Sequence, residues 1–292
     1  MKTVRTIAEL RQRLDEPRRG GHSIGLVPTM GSFHDGHLSL IGRAREECDV
    51  LVVSLFVNPA QFDQPDDLRR YPRDETRDAR LAAEAGVDYL FAPPVEEMYP
   101  PGFASTVSVG GITATLEGAY RGRAHFDGVA TVVTKLLNIV GPGVAYFGQK
   151  DAQQALVIKR FVRDLDIPVR IEVCPTVREP DGLAMSSRNA LLSPEEHARA
   201  LAISRALRSA QEAVAAGERD AAKVAGQARA QMACGGVEPE YLELVSTDTL
   251  APVGEIGDDV LVVVAAQVGD ARLIDNEIIH TSVDREVATL LG

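Results

Sequence analysis

The chain lacks any apolar stretch long enough to cross a membrane: its longest apolar runs, near Val50–Val57 and Val260–Ala266, fall far short of the roughly 20 residues a spanning helix needs. It lacks paired cysteines. Cys48, Cys174 and Cys234 are an odd count, far apart, which excludes a disulfide framework and fits a reducing compartment. It lacks positive charge: 31 Lys and Arg against 42 Asp and Glu leave a net charge of -11, which argues against a nucleic-acid partner held by its phosphates while leaving room for a local basic pocket. It also lacks internal repeats and low-complexity tracts, and its first residues, MKTVRTIAELRQRLDEPRR, carry no apolar core of signal-peptide length. The expectation is a cytoplasmic protein with neither a membrane nor a nucleic-acid partner.

What is present is an ordinary globular balance, 45% hydrophobic and 25% charged, over 292 residues, a length that suggests two domains. The stretch Ser23–His37, SIGLVPTMGSFHDGH, stands out. Ile24, Leu26 and Val27 predict a short strand, Pro28 and Gly31 break it, and Leu38, Leu40, Ile41, Ala44 and Cys48 recur at helical spacing. A helix beginning near Gly36 aims unpaired backbone N–H groups and its dipole back at the turn, which makes an anion site. His34 and His37, three residues apart around that start, can face the same anion. They also suit ordinary surface polar groups, and a metal site is disfavoured because neither Cys nor a third His lies nearby.

The rest of the first part alternates strands and helices. Val50–Val57 reads as a strand buried on both faces and ends in Asn58-Pro59-Ala60-Gln61, which belongs beside the histidine turn because ligands sit outside the carboxyl ends of parallel strands. Asp74–Ala85 predicts a helix, Val87–Phe91 a strand, and PPVEEMYPPG a surface loop. A second strand, turn, helix unit follows. Val129–Val140 is helical, Val144–Phe147 a strand, and Gly148-Gln149-Lys150-Asp151 opens the helix carrying Gln153 and Gln154. Lys150 suits a phosphate and Asp151 a ribose, although a solvated turn would read the same. After a strand at Val169–Val173, the polar segment Arg178–Asn189 offers Ser186, Ser187 and Arg188 to an anion, or is a plain Ser-rich linker. Ser193-Pro194-Glu195-Glu196 caps a long helix, and two Ala-rich helices (about 194–216 and 219–233) precede strands near Val237–Val245, Val260–Val268 and Arg272–Ile279. The expected fold is α/β: a Rossmann-like parallel-sheet domain over 1–176, then a smaller α+β domain over 177–292 with MSSRN at the boundary.

Five blocks in order, PTMGSFHDGH, VNPAQF, HFDGVATVVTKLLNIV, FGQKDAQQ and PTVREPDGLAMSSRN, closely resemble the pantothenate synthetase family, ligases that join pantoate to β-alanine. The H-x-G-H block is also similar to the HIGH signature of nucleotidyltransferases and class I aminoacyl-tRNA synthetases, with MSSRN at the place of their KMSKS-like loop. The resemblance implies an ATP-dependent, AMP-forming ligase working through a pantoyl adenylate, with magnesium and a homodimer. It places Met30, Gly31, Ser32, Phe33, His34, Asp35, Gly36 and His37 along ATP. Gly148, Gln149, Lys150, Asp151, Val177, Met185, Ser186, Ser187 and Arg188 complete the nucleotide site, and His34, His37, Lys150, Ser186 and Arg188 are the catalytic set. Gln61 and Gln154, with Asn58, fall to the substrates pantoate and β-alanine. Asp78 best matches the metal-side acid, with Asp74 and Glu75 close by. The family's RPGHF reads RGRAHF here, one residue longer, so Arg121 and Arg123 both compete for the arginine's place. A nucleotidyltransferase acting on another small acid or phosphate ester is the alternative reading.

Overall fold

A computed structural model describes residues 1–62 and 65–281; residues 63, 64 and 282–292, the last of which belong to the expected C-terminal domain, lie outside the described residues. The chain divides into two compact units, Met1–Val177 and Arg178–Gly292.

The first unit runs β1 (Lys2–Val4), α1 (Ile7–Arg19), β2 (Ile24–Thr29), α2 (Asp35–Glu47), β3 (Val50–Leu55), α3 (Pro65–Arg70), α4 (Glu75–Glu84), β4 (Tyr89–Phe91), α5 (Val95–Met98), α6 (Glu117–Arg121), α7 (Arg123–Val140), β5 (Val144–Gly148), α8 (Ala152–Asp164) and β6 (Arg170–Cys174). Its six strands form one sheet in the order β1-β4-β3-β2-β5-β6, and every pairing is parallel. Parallel strands need helices on both faces, which is why β2 and β3 are nearly continuous apolar runs. Val27, Leu51, Val53 and Leu90 of the sheet pack with Leu40, Ile41 and Ala44 of α2 and Ala82 of α4. Leu26, one residue out of step with Val27, is fully buried toward the opposite side, as the period of two requires. From β2 the chain winds outward to β3 and β4, then returns to place β5 on β2's other edge. The reversal between β2 and β5 is the switch point at which a crevice opens beyond the strands' carboxyl ends.

Most expected elements appear within a few residues of their predicted bounds, with two differences. The segment after β4, read as a surface loop, holds the short helix α5, with Met98 fully buried, because an apolar residue inside a Pro-rich stretch can still be drawn into the core. The helix expected from Val129 starts at Arg123, its first turn burying His125 and Phe126.

The second unit contains α9 (Pro194–Ala215), α10 (Ala221–Cys234), β7 (Pro239–Ser246), β8 (Val260–Val268) and β9 (Ala271–Ile279); the strands form an antiparallel sheet in the order β7-β8-β9. The Ala-rich faces of α9 and α10 pack on Val260, Val262, Val264 and Leu244. Ser193 and Glu196 exchange capping bonds at the start of α9. Among the described residues no helix is long and apolar enough to cross a membrane.

Candidate active site

The turn between β2 and α2 is built by reciprocal capping. His34 is the N-cap of α2: its Nδ1 accepts the N–H of Gly36 at 3.2 Å, and its own backbone N–H donates to Nδ1 of His37 at 3.4 Å. The two rings lie 4.2 Å apart between centroids. A ring nitrogen that accepts carries no proton, so both imidazoles in their neutral form hold hydrogen on Nε2. Burial, together with Lys150 close by, pulls the His34 pKa down, and burial followed by the neighbouring His34 pushes that of His37 down to about 3. The pair is therefore a pair of neutral N–H donors at the positive end of a helix.

The residues before it are held from α4. Gly31 and Ser32 both have positive φ, 88° and 56°, a conformation a serine adopts at a cost of roughly 1 kcal/mol. Asp78 supplies the compensation: its Oδ2 accepts Ser32 N–H at 2.7 Å and its Oδ1 accepts Phe33 N–H at 2.8 Å. Neighbouring Arg77 donates to Phe33 O at 3.0 Å. A Cβ on Gly31 would lie 2.9 Å from Asp78 Oδ2, so the turn needs glycine there for space as well as for φ.

These bonds give Asp78 a structural role beside the metal role that the family resemblance implies. The side chain is 1% exposed, and each of its oxygens accepts one backbone N–H, so the carboxylate braces the turn. Asp74 caps α4 by accepting Arg77 N–H, and Glu75 is paired with Arg5, so the nearby acids have structural partners too.

At the neighbouring strand end, Gly148 closes β5 and Gln149–Asp151 form a single helical turn into α8. Lys150, with a side chain 19% exposed, reaches 3.6 Å from Asp151 and is close enough to lower the His34 pKa. The structure thus brings His34, His37 and Lys150 to the one switch point. The adjacent glutamines separate sharply. Gln153 is buried and saturated, accepting Glu117 N–H and donating to Ile112 O and Thr115 O, while the side chain of Gln154 is half-buried and takes no hydrogen bond among the described residues.

At the end of β3, Asn58 caps a helical turn over Pro59–Gln61. Gln61 Nε2 donates to the thioether of Met30 at 3.2 Å, a weak acceptor that a better one can displace. α7 lies flush on this turn at Gly128, where a Cβ would meet Ala60 O at 2.3 Å. His125 Nδ1 donates to Gln61 O at 2.7 Å, and its Nε2 lies 3.3 Å from an N–H of Arg121. Arg123 points instead to Ser108 and Asp127. Of the two arginines competing for the family position, Arg121 is the one tied to the Gln61 turn. Asn58, expected to touch substrate, is 1% exposed with its amide fully engaged inside the protein; His125, Gln153, Tyr99 and the bracing role of Asp78 were not legible in the sequence.

Val177 closes the first unit, and Met185–Arg188 belong to the second. The polar segment there is ordered rather than irregular. Arg178 pairs with buried Asp275 and with Glu277, Arg178 and Ala184 form a bridge, and Gly182 turns the chain with φ 101°. Glu179, Asp181 and His197 bring one donor atom each within 4.8 Å of the others. That cluster is explained by internal bonds, since His197 is 2.7 Å from Asp181 and Asn189 donates to Glu179 at 2.6 Å. Beyond this latch, Ser186 Oγ caps the helical turn Ser187–Leu191 by accepting Arg188 N–H.

A parallel α/β sheet with two neutral histidines at a helix start beside its switch point defines a protein of the Rossmann-like class, in which ligands sit beyond the carboxyl ends of the strands. A family model described as pantoate-beta-alanine ligase matches residues 2–278, so the chain belongs to that family. It is 52% identical over 283 residues to the pantothenate synthetase of Moorella thermoacetica, covering 97% of this chain and all of that one. Its structure matches crystalline pantothenate synthetase from Thermus thermophilus with a TM-score of 0.91 at 48% identity, over 96% of this chain and 100% of that chain. The pantoate-beta-alanine ligase of Francisella tularensis, crystallised with β-γ ATP and β-alanine, matches with a TM-score of 0.79 at 34% identity, over 95% and 97% of the two chains.

Proposed function

We propose that the chain condenses pantoate with β-alanine in two steps, with ATP cleaved to AMP and pyrophosphate. A carboxylate repels a nucleophile, so its oxygen first attacks the α-phosphorus of ATP, and the bond to pyrophosphate breaks. The amine of β-alanine then attacks the acyl carbon; the C–O bond to AMP breaks and the nitrogen gives up a proton.

The observation that carries this reading is the pair of Nε2–H donors of His34 and His37 beside Lys150, at a helix start and a switch point. Neutral donors and one ammonium fit the charge that spreads over phosphate oxygens as pyrophosphate departs, and they hold two anions in line. The Francisella tularensis relative, whose crystal held β-γ ATP and β-alanine, supports the same substrates here. Met30–His37, Gly148–Asp151, Val177 and Met185–Arg188 form the nucleotide site of this proposal, Ser186 and Arg188 acting on the phosphates, and Gln61 and Gln154 hold pantoate. Magnesium is part of the same proposal: it would neutralise phosphate charge on ATP, and Asp78 is the acid of this chain that the family resemblance assigns to it. The homodimer and the cytoplasmic location are part of the same proposal.

The test is isotope exchange. Enzyme, ATP, magnesium and pantoate without β-alanine should exchange labelled pyrophosphate into ATP, and adding β-alanine should release AMP. Exchange that requires β-alanine, or ADP as product, would overturn the adenylate route.

A further inference from the structure

We propose that Tyr99 is a positioning residue for the acid substrate, holding the already oriented Asn58 amide against Gln61 so that the Gln61 N–H donors stay aimed at the pocket. The proposal rests on the reading of Gln61 as a pantoate contact.

The chain of bonds has only one sense. Asn58 Oδ1 receives the backbone N–H of Ala60 at 3.3 Å, and Asn58 Nδ2 lies 3.1 Å from the backbone carbonyl of Gly128. A peptide N–H can only donate and a peptide carbonyl only accept, so these two contacts settle the orientation of the Asn58 amide without reference to any other side chain. Tyr99 then donates its hydroxyl to Oδ1 at 2.8 Å, and Nδ2 donates to Gln61 Oε1 at 3.0 Å. With two bonds on each end, Asn58 has no remaining capacity for substrate.

Gln61 inherits the sense. Turned over, its NH2 would face the NH2 of Asn58 and its oxygen would face the sulfur of Met30, donor on donor and acceptor on acceptor. As built, Oε1 is spent on Asn58 and Nε2 meets only a thioether, so Gln61 offers the pocket N–H donors. Such a site takes hydroxyl or carboxylate oxygens and refuses an ammonium, which separates a dihydroxy acid from an amino acid when both carry a carboxylate. Tyr99 is held in turn by Phe56 and Phe103, whose ring centroids lie 6.1 and 5.1 Å away, with Lys135 Nζ 4.7 Å above the Phe103 ring. Burial raises the Tyr99 pKa to about 12, so the hydroxyl keeps its proton and goes on donating to Asn58 across the working pH range.

The experiment is a double-mutant cycle in the pantoate-dependent exchange reaction, using Tyr99→Phe and Gln61→Met, both close to isosteric, with thermal unfolding to confirm that each variant is folded. Loss of one buried neutral hydrogen bond should raise the pantoate KM of Tyr99→Phe by about three- to tenfold while leaving the ATP KM unchanged. In the Gln61→Met background the same change should move the pantoate KM by less than about 1.5-fold, because the group it positions is gone. An unchanged pantoate KM in Tyr99→Phe, or an equal effect in both backgrounds, would overturn the positioning role while leaving Gln61 in place. A normal pantoate KM in Gln61→Met alone would overturn the reading of Gln61 and the relay with it.

Discussion

Nδ1 of His37 accepts the backbone N–H of His34, and the two rings lie tilted with their centroids 4.2 Å apart, so each histidine's proton position is fixed by the backbone N–H that its Nδ1 accepts. This ties the local fold of the turn to the chemistry it presents: the same bonds that start α2 leave both Nε2–H groups for an anion.

The first expected outcome concerns pH. The His37 pKa is pushed down to about 3 from an ordinary 6.5, so the unfolded chain binds this proton first as the pH falls. Its contribution to stability is fully present above the unfolded value of about 6.5 and is lost as the pH drops through the folded value of about 3. Urea unfolding from pH 7 to 4 should show a stability loss that is smaller in His37→Gln. The pH profile of kcat/KM should carry no ionisation from His37 between about 5 and 9, because a ring that stays neutral there donates a hydrogen bond and not a proton. A wild-type ionisation in that range that vanishes in an active His37→Gln variant would make His37 a proton donor instead.

Lys150 places a cation where phosphate charge develops. By comparison with the loss of one preorganised donor, Lys150→Ala should lower kcat by about 10² to 10³ with the fold intact. Near-normal pyrophosphate exchange would remove Lys150 from the mechanism.

Asp78 is a brace. Replacing it by Ala strands two buried N–H groups and releases a serine held at positive φ, for a stability loss of about 2–4 kcal/mol by denaturant unfolding and a raised ATP KM. A tenfold rise, in Asp78→Asn, of the magnesium concentration that half-saturates the exchange reaction would support the metal role as well. An unchanged concentration would leave Asp78 as a brace alone.

Gly128 lets α7 touch the 59–61 turn. Gly128→Ala pushes a Cβ into Ala60 O, and should raise the pantoate KM well before it affects that of ATP. Equal shifts in both would mean that the turn serves the whole site and not the acid alone.

The segment Met185–Arg188, assigned to nucleotide in the proposed function, is expected to become more protected when ATP binds. Adding ATP should slow its amide exchange, measured by mass spectrometry; identical exchange with and without ATP would contradict that assignment.

The class of fold was written in the local pattern. The apolar runs at β2, β3 and β5, each followed by a turn and an amphipathic helix, determine a parallel α/β unit because periodicity and breakers are properties of neighbouring residues. The Ser193–Glu196 cap and the Ala-rich helices marked the second unit for the same reason. The placement of His34, His37, Asn58, Gln61 and Lys150 beyond strand ends was legible as well, while the pantoate role of Gln61 and Gln154 came only from the family resemblance and stays a proposal. What only the tertiary structure decided is which polar groups are spent on the protein and which are left over. Gln153 and Gln154 are the same residue type side by side, yet a helix turns them about 100° apart, so one is saturated by the strap at 112–117 and the other takes no such bond. Asp78 stood out only as a match to the family's metal acid, and the fold adds its bracing of the histidine turn; Tyr99 read as part of a surface loop and reaches Asn58, 41 residues away in the chain. Those outcomes depend on bonds between segments remote in sequence, and composition and spacing carry no record of which partners the folded chain brings within 3 Å.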